Sequence, residues 1–147
     1  MLDSHNHIKG MFIGGEWVTT NRMFDDINPS TGTVWAQVPD GGRMETRAAI
    51  DAAKAAFPAW AGLHFQDRAR VLLKAADVWE RRKMDFVAAA QAEGGGWFGK
   101  GMFEAGYVSE VFRAAAGLCY GAIGEVLPSE HGKISTAVRV PLGVVSV

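Results

Sequence analysis

The stretch Glu93-Gly94-Gly95-Gly96-Trp97-Phe98-Gly99-Lys100-Gly101 carries the densest set of residues that could do chemistry. Gly94, Gly96 and Gly99 satisfy G-x-G-x-x-G, and Gly94 through Lys100 satisfy most of a P-loop. In both patterns the glycines let backbone amides approach a phosphate at a helix start. Both must follow a strand, whereas the preceding Val87-Ala88-Ala89-Ala90-Gln91-Ala92 reads as helix. Gly101 also stands where a hydroxyl should reach magnesium. The cluster therefore reads as a helix C-cap and a flexible turn between helices.

Cys119 is the one possible thiol nucleophile, and it lies among small and apolar neighbours, Ala115-Ala116-Gly117-Leu118 and Tyr120. With no histidine nearby in sequence and no helix start to activate it, it reads as an inert packed side chain. A single cysteine also has no partner for an internal disulfide and excludes a multi-cysteine metal site. His5 and His7 form an H-x-H pair near the start, while His64 and His131 are isolated. The five tryptophans are spread singly through separate segments, which suits packing better than ligand stacking. Arg68, Arg70, Lys74, Arg81 and Arg82 alternate with Asp67, Asp77 and Glu80, the pattern of a solvated, salt-bridged face. No nucleophile elbow and no paired carboxylates stand out.

The elements that position these residues form an α+β order: strands, about four helices, then strands. Met11 to Val18 reads as a hairpin about Gly14-Gly15, a pair suited to positive φ. Phe24 to Ile27 is extended, Asn28-Pro29-Ser30-Thr31-Gly32 is a turn, and Thr33 to Val38 is a strand ending at Pro39. Ala48, Ala49, Ala52, Ala53 and Ala56 mark a helix from about Met44 that Pro58 should end. Further helices are expected over Phe65–Arg82, Met84–Glu93 and Phe103–Gly117. Gly124 then opens a loop toward His131-Gly132, and the apolar Val138 to Val147 reads as strand. Residues 1–10 are expected to be a disordered terminus.

The 147 residues are 48% hydrophobic and 21% charged, with a net charge of -1. That composition is globular, and it offers no electrostatic footprint for nucleic acid or an anionic membrane. No apolar run has the length of a membrane span, and Met1 to His7 lack the regions of a secretory signal, so the expected location is cytoplasmic.

Several of these segments, taken in order, resemble the amino-terminal part of the NAD(P)-dependent aldehyde dehydrogenase superfamily. Phe12 to Val18 is similar to that family's opening hairpin, and Asn28-Pro29-Ser30-Thr31-Gly32 to its N-P-x-T/N-G turn. Ala48 to Phe57 with Trp60 is similar to its A-x-x-A-A-x-x-A-F-x-x-W helix, and Arg68 to Leu72 to its R-x-x-x-L stretch. Gly124 to Pro128 and Arg139 to Val145 resemble its G-x-x-x-P and R-x-P-x-G-V-V segments. Where the family usually carries E-T/S-G-K, this chain has Glu93-Gly94-Gly95-Gly96. The Trp97-Phe98 pair and its surroundings resemble the branch acting on benzaldehyde or vanillin.

The resemblance implies an α/β family in which residues 11–147 are the amino-terminal portion, ending before the cofactor-binding and catalytic motifs. The full-length family oxidises an aldehyde with NAD or NADP through a nucleophilic cysteine, an oxyanion-holding asparagine and a general-base glutamate, all of which come later. Cys119 matches none of those motifs. The chain alone is thus expected to be inactive, with no catalytic or cofactor-binding residues and no bound cofactor. An aldehyde substrate and a homo-oligomer are implied only for a full-length enzyme. By the same resemblance, the backbone near Asp26 and Ile27 and the carboxylate of Glu93 correspond to a monovalent-cation site seen in some relatives. Two other readings stand beside this one. One is a non-catalytic interaction module using an exposed strand edge, and the other is an incomplete product whose helices lack their sheet.

Overall fold

The computed structural model describes residues 10–147, so His5 and His7 and most of the expected disordered terminus lie outside the described residues. Strands β1 (Met11–Ile13) and β2 (Glu16–Val18) pair antiparallel across Gly14 and Gly15, at φ +62° and +92°. Two consecutive positive φ angles suit the right-handed twist of a two-residue hairpin, and glycine adopts them without strain. Phe12 faces Trp17 across the pair, their rings 5.1 Å apart.

Strands β3 (Met23–Ile27) and β4 (Val34–Pro39) form a second antiparallel pair. The Asn28 side chain accepts the Ser30 N–H at 2.9 Å, and its carbonyl accepts the Gly32 N–H at 2.8 Å. This asparagine turn joins the strands. Asp26 pairs with Ala36 but Ile27 pairs with Val34, so Trp35 is an extra, bulged residue.

Helix α1 (Arg43–Ala61) begins where the Gly42 N–H donates to Glu45 Oε2 at 2.7 Å. The hydrogen bond from Glu45's own backbone, and after it this capping bond from Gly42, hold the Glu45 carboxyl below the usual carboxylate range. Pro58 does not end the helix as its sequence suggests; it lies inside the last turn. A proline removes one donor, yet its own carbonyl still accepts the Gly62 N–H at 3.0 Å, so one further turn closes behind it.

Helix α2 (Phe65–Gly94) is one element of 30 residues, not the two expected with a break after Arg82. Arg81, Arg82, Lys83 and Met84 are all good helix formers, so nothing in the local sequence breaks the helix there. Ion pairs of Glu80 with Lys83 and of Arg82 with Asp85 lie along the helix through that point. The helix stops at Gly95, at φ +61°, whose N–H donates to Gln91 O.

Helix α3 (Phe98–Leu118) starts five residues earlier than its sequence suggests, so Gly99 and Gly101 are helical. The turn before it is therefore only Gly95-Gly96-Trp97. It packs back along α2 through a seam of small residues: Gly101, Ala105, Ser109 and Ala116 against Ala69, Ala76 and Val87. Trp79 Nε1 donates to Ala105 O at 2.7 Å, and Arg113 reaches Asp77 at 3.1 Å. The fold thus has three helices among the described residues, where about four were expected, and the α+β class is unchanged.

The expected loop after Gly124 is in fact strand β5 (Gly124–Leu127), paired antiparallel with β6 (Ser135–Val138). Residues 139–147, strand-like in sequence, form no strand. Apolar, β-branched composition favours an extended chain, but a strand needs a neighbour, and none of the described residues supplies one there. No helix among the described residues is long and apolar enough to cross a membrane.

Candidate functional site

The glycine-rich stretch follows a helix, which removes the strand-then-helix context of a nucleotide loop. Gly95 caps α2, and Gly99 lies under the Trp97 ring, where a Cβ would sit 2.1 Å from Cζ3. Cys119 is the half-buried C-cap of α3, its Sγ 3.6 Å from Ala115 O. His64 is the N-cap of α2 with its ring 4.3 Å from that of Phe65, and His131 is exposed between β5 and β6. These groups do not converge. A groove along α1 beside Arg43, Arg47, Ile50 and Lys54 has only that helix for a wall.

Asp26, Ile27 and Glu93 behave differently. Asp26 and Ile27 flank the bulge at the end of β3, and Glu93 lies in the last turn of α2. The contact that joins these ends is made by Gly95. A Cβ there would stand 3.0 Å from Pro29 Cγ and 3.2 Å from Ser30 Oγ, so the turn after β3 lies directly against the helix cap. Asp25, one residue earlier, alternates to the other face and accepts Gln37 Nε2 at 3.0 Å.

The electrostatics report the same proximity. Partial burial pushes the Glu93 carboxyl above its ordinary range, and the negative charge of Asp26 adds to the shift. Much of the Glu93 side chain remains exposed, so solvent screens this repulsion. Because the folded-state value is raised, ionised Glu93 opposes folding above that value, and the penalty is relieved as pH falls through it. Glu93→Gln should therefore be more stable than the parent at pH 7, by no more than about 1 kcal/mol. The difference should close as pH falls through the raised Glu93 range, read from urea midpoints along a pH series.

Aspartate and glutamate carboxylates and backbone carbonyls are hard oxygen donors. No cluster of three or more histidine, cysteine, aspartate or glutamate side chains occurs among the described residues.

Sequence reasoning passed over one further feature, the aromatic pair on α3. Phe103 and Tyr107 stack with ring centroids 6.3 Å apart and planes 9° apart, and both are largely exposed. Their i, i+4 spacing was the available signal.

Short strand pairs and the α2–α3 hairpin define an α+β arrangement among the described residues. The model described as "Aldehyde dehydrogenase family" matches residues 17–147, and the chain belongs to that family. It is 44% identical over 84 residues to 2-aminomuconic semialdehyde dehydrogenase of Danio rerio, covering 57% of this chain and 17% of that one. It is 38% identical over 140 residues to vanillin dehydrogenase of Pseudomonas sp. strain HR199, covering 92% of this chain. Among solved structures, an NAD-dependent benzaldehyde dehydrogenase from Corynebacterium glutamicum superimposes with a TM-score of 0.77 at 26% identity, over 84% of this chain and 28% of that one. The chain likewise spans 28% of the vanillin dehydrogenase.

Proposed function

We infer that this chain serves as the amino-terminal scaffold of an enzyme that oxidises an aldehyde, aromatic aldehydes included, to a carboxylic acid with NAD or NADP. The family match over residues 17–147 carries this reading. In the balanced reaction, aldehyde, water and NAD(P)+ give carboxylic acid, NAD(P)H and a proton. The nicotinamide, when bound, supplies the hydride acceptor. A thiol nucleophile, donors for the oxyanion and a carboxylate to activate water complete such chemistry. Residues 10–147 bring no such set together, and their part is to hold α2 and α3 in place. The isolated chain should give no aldehyde-dependent NADH or NADPH with benzaldehyde or vanillin. Turnover above a no-protein blank would overturn the assignment of these residues to scaffold.

Within that role, Asp26, the Ile27 carbonyl and Glu93 would hold a monovalent cation between β3 and α2. The mutual repulsion of the two carboxylates supports this, since a cation between them relieves it. Replacing choline with sodium or potassium at constant ionic strength should raise the melting temperature of the chain but not of Glu93→Gln. An equal response in both proteins would remove the cation from the account.

A non-catalytic interaction module is the alternative, favoured by three two-stranded sheets whose edges are open among the described residues. It would be supported by a defined, cooperatively unfolding monomer that captures strand peptides and has no effect on aldehyde oxidation.

A further inference from the structure

Helix α1 meets the β1–β2 hairpin with one side. Glu45 and Ala52 are half-buried, and a Cβ at Gly14 would stand 3.5 Å from the Ala52 Cβ. Roughly half a turn away, at 3.6 residues per turn, Arg43, Arg47, Ile50 and Lys54 line an open groove. All four are exposed. Several basic side chains elsewhere are paired with acids, as Arg22 is with Asp40, Arg70 with Asp67 and Arg113 with Asp77. Arg43, Arg47 and Lys54 have no ion-pair partner among the described residues.

The two acids of α1 do not serve them. Glu45 is held by the Gly42 N–H, and Asp51, at the edge of the row, pairs with neither Arg47 nor Lys54. A chain of net charge -1 therefore keeps three unneutralised cations in line. Arg43 moreover opens the first turn of α1, where the helix dipole disfavours positive charge. Helix stability does not select this arrangement, whereas an anionic partner would.

The spacing specifies the shape of that partner. The steps from Arg43 to Arg47, Ile50 and Lys54 are four, three and four residues, the alternation of a seam between two packed helices. Phe57 and Ala61 continue the alternation and are half-buried. A second helix has the same rise, so acids placed on it at these steps would meet the three cations over roughly 16 Å. A strand of phosphates would neutralise the cations but gain nothing from Ile50, which is 40% exposed at the centre of the row.

We propose that this face of α1 docks an amphipathic helix of a second protein, with acidic residues opposite Arg43, Arg47 and Lys54 and an apolar one opposite Ile50. The charges steer and orient the encounter, and Ile50 supplies the contact that excludes water. The docking is independent of the aldehyde-oxidising reading.

The test is fluorescence anisotropy of a labelled, alanine-based helical peptide carrying glutamates and one leucine at the same steps, titrated with the full chain at low salt. The double variant Arg47→Glu, Lys54→Glu should bind it about tenfold or more weakly, and should instead take up the same peptide with lysine for glutamate. That gain also shows that the variant is folded. Ile50→Gln should weaken binding about threefold or more. Lys74→Glu with Arg81→Glu removes two unpaired cations from α2, changes net charge equally, and should leave binding as it is. No binding by the parent, equal weakening by the α2 variant, or indifference to Ile50→Gln would overturn the proposal. So would tighter binding of a labelled single-stranded oligouridylate, which would assign the row to nucleic acid.

Discussion

Replacing Gly101 with leucine should destabilise the chain by about 3 kcal/mol, the upper end of the cost of overpacking a filled core. Gly101 is fully buried where α3 crosses α2, and a Cβ there would lie 3.1 Å from Val87 Cγ1 and 3.6 Å from Val87 Cα. Val87 is itself about 1% exposed and has no room to retreat. The three residues Gly95-Gly96-Trp97 join the helices just beyond this point, so the pair cannot splay at its closed end. Leucine must therefore part α2 from α3, and this seam supplies five of the six buried apolar residues among those described: Ala69, Ala76, Val87, Ala105 and Ala116. The urea midpoint should fall with the slope unchanged, and the melting temperature should drop on the order of 10 °C. Gly101→Ala is the informative control. A better helix former gains up to about 1 kcal/mol at this position, and one tight methyl contact opposes it, so the two should nearly cancel. Val87→Ala should restore part of the loss in the leucine variant, because neighbours sharing one space are not additive. Equal stability of Gly101→Leu and the parent would mean that α2 and α3 do not pack through this seam.

Which parts of this architecture are visible in the amino-acid order depends on the range of the forces involved. Gly14-Gly15 and Asn28-Pro29 specify their turns locally, since positive φ and an asparagine side chain need no distant partner. The alanine spacing of α1 is equally local, but Pro58 does not mark its end: the helix continues past the proline to Ala61, closed by the Gly62 N–H on the Pro58 carbonyl. The break expected after Arg82 does not occur, because helix propensity and the ion pairs along Arg81-Arg82-Lys83 keep α2 whole. Residues 139–147 have strand composition and no strand, because pairing is a property of two segments. The family was legible through the joint order of weak segments, and the match over residues 17–147 agrees with it. The approach of Glu93 to Asp26 was accessible only through that resemblance, because no periodicity links a strand end to a helix end so far along the chain. What joins them is the backbone shape of Gly95 and its contact with Pro29.

That contact makes Gly95→Val the second large effect. At φ +61° a β-branched side chain is strained, at a cost of about 1–3 kcal/mol. Its Cβ would also stand 3.0 Å from Pro29 Cγ and 3.2 Å from Ser30 Oγ. Pro29 is a ring within a hydrogen-bonded turn and cannot rotate away, so the α2 cap and the β3–β4 turn must separate. Two consequences follow from one substitution. Stability should fall by about 3 kcal/mol as strain and steric cost combine. The upward shift of Glu93 should also shrink, because its second cause, the charge of Asp26, depends on that approach. Glu93→Gln, which stabilises the parent at pH 7, should then stabilise the Gly95→Val protein less, and the melting response to sodium or potassium should weaken with it. A double-mutant cycle at pH 7 separates this coupling from the plain loss of stability. If the cycle closes with no interaction, Gly95 caps the helix and nothing more, and the nearness of Asp26 to Glu93 must be set by other contacts. Gly95→Ala should show the same signs at smaller size, since alanine carries the same Cβ without the branched methyls.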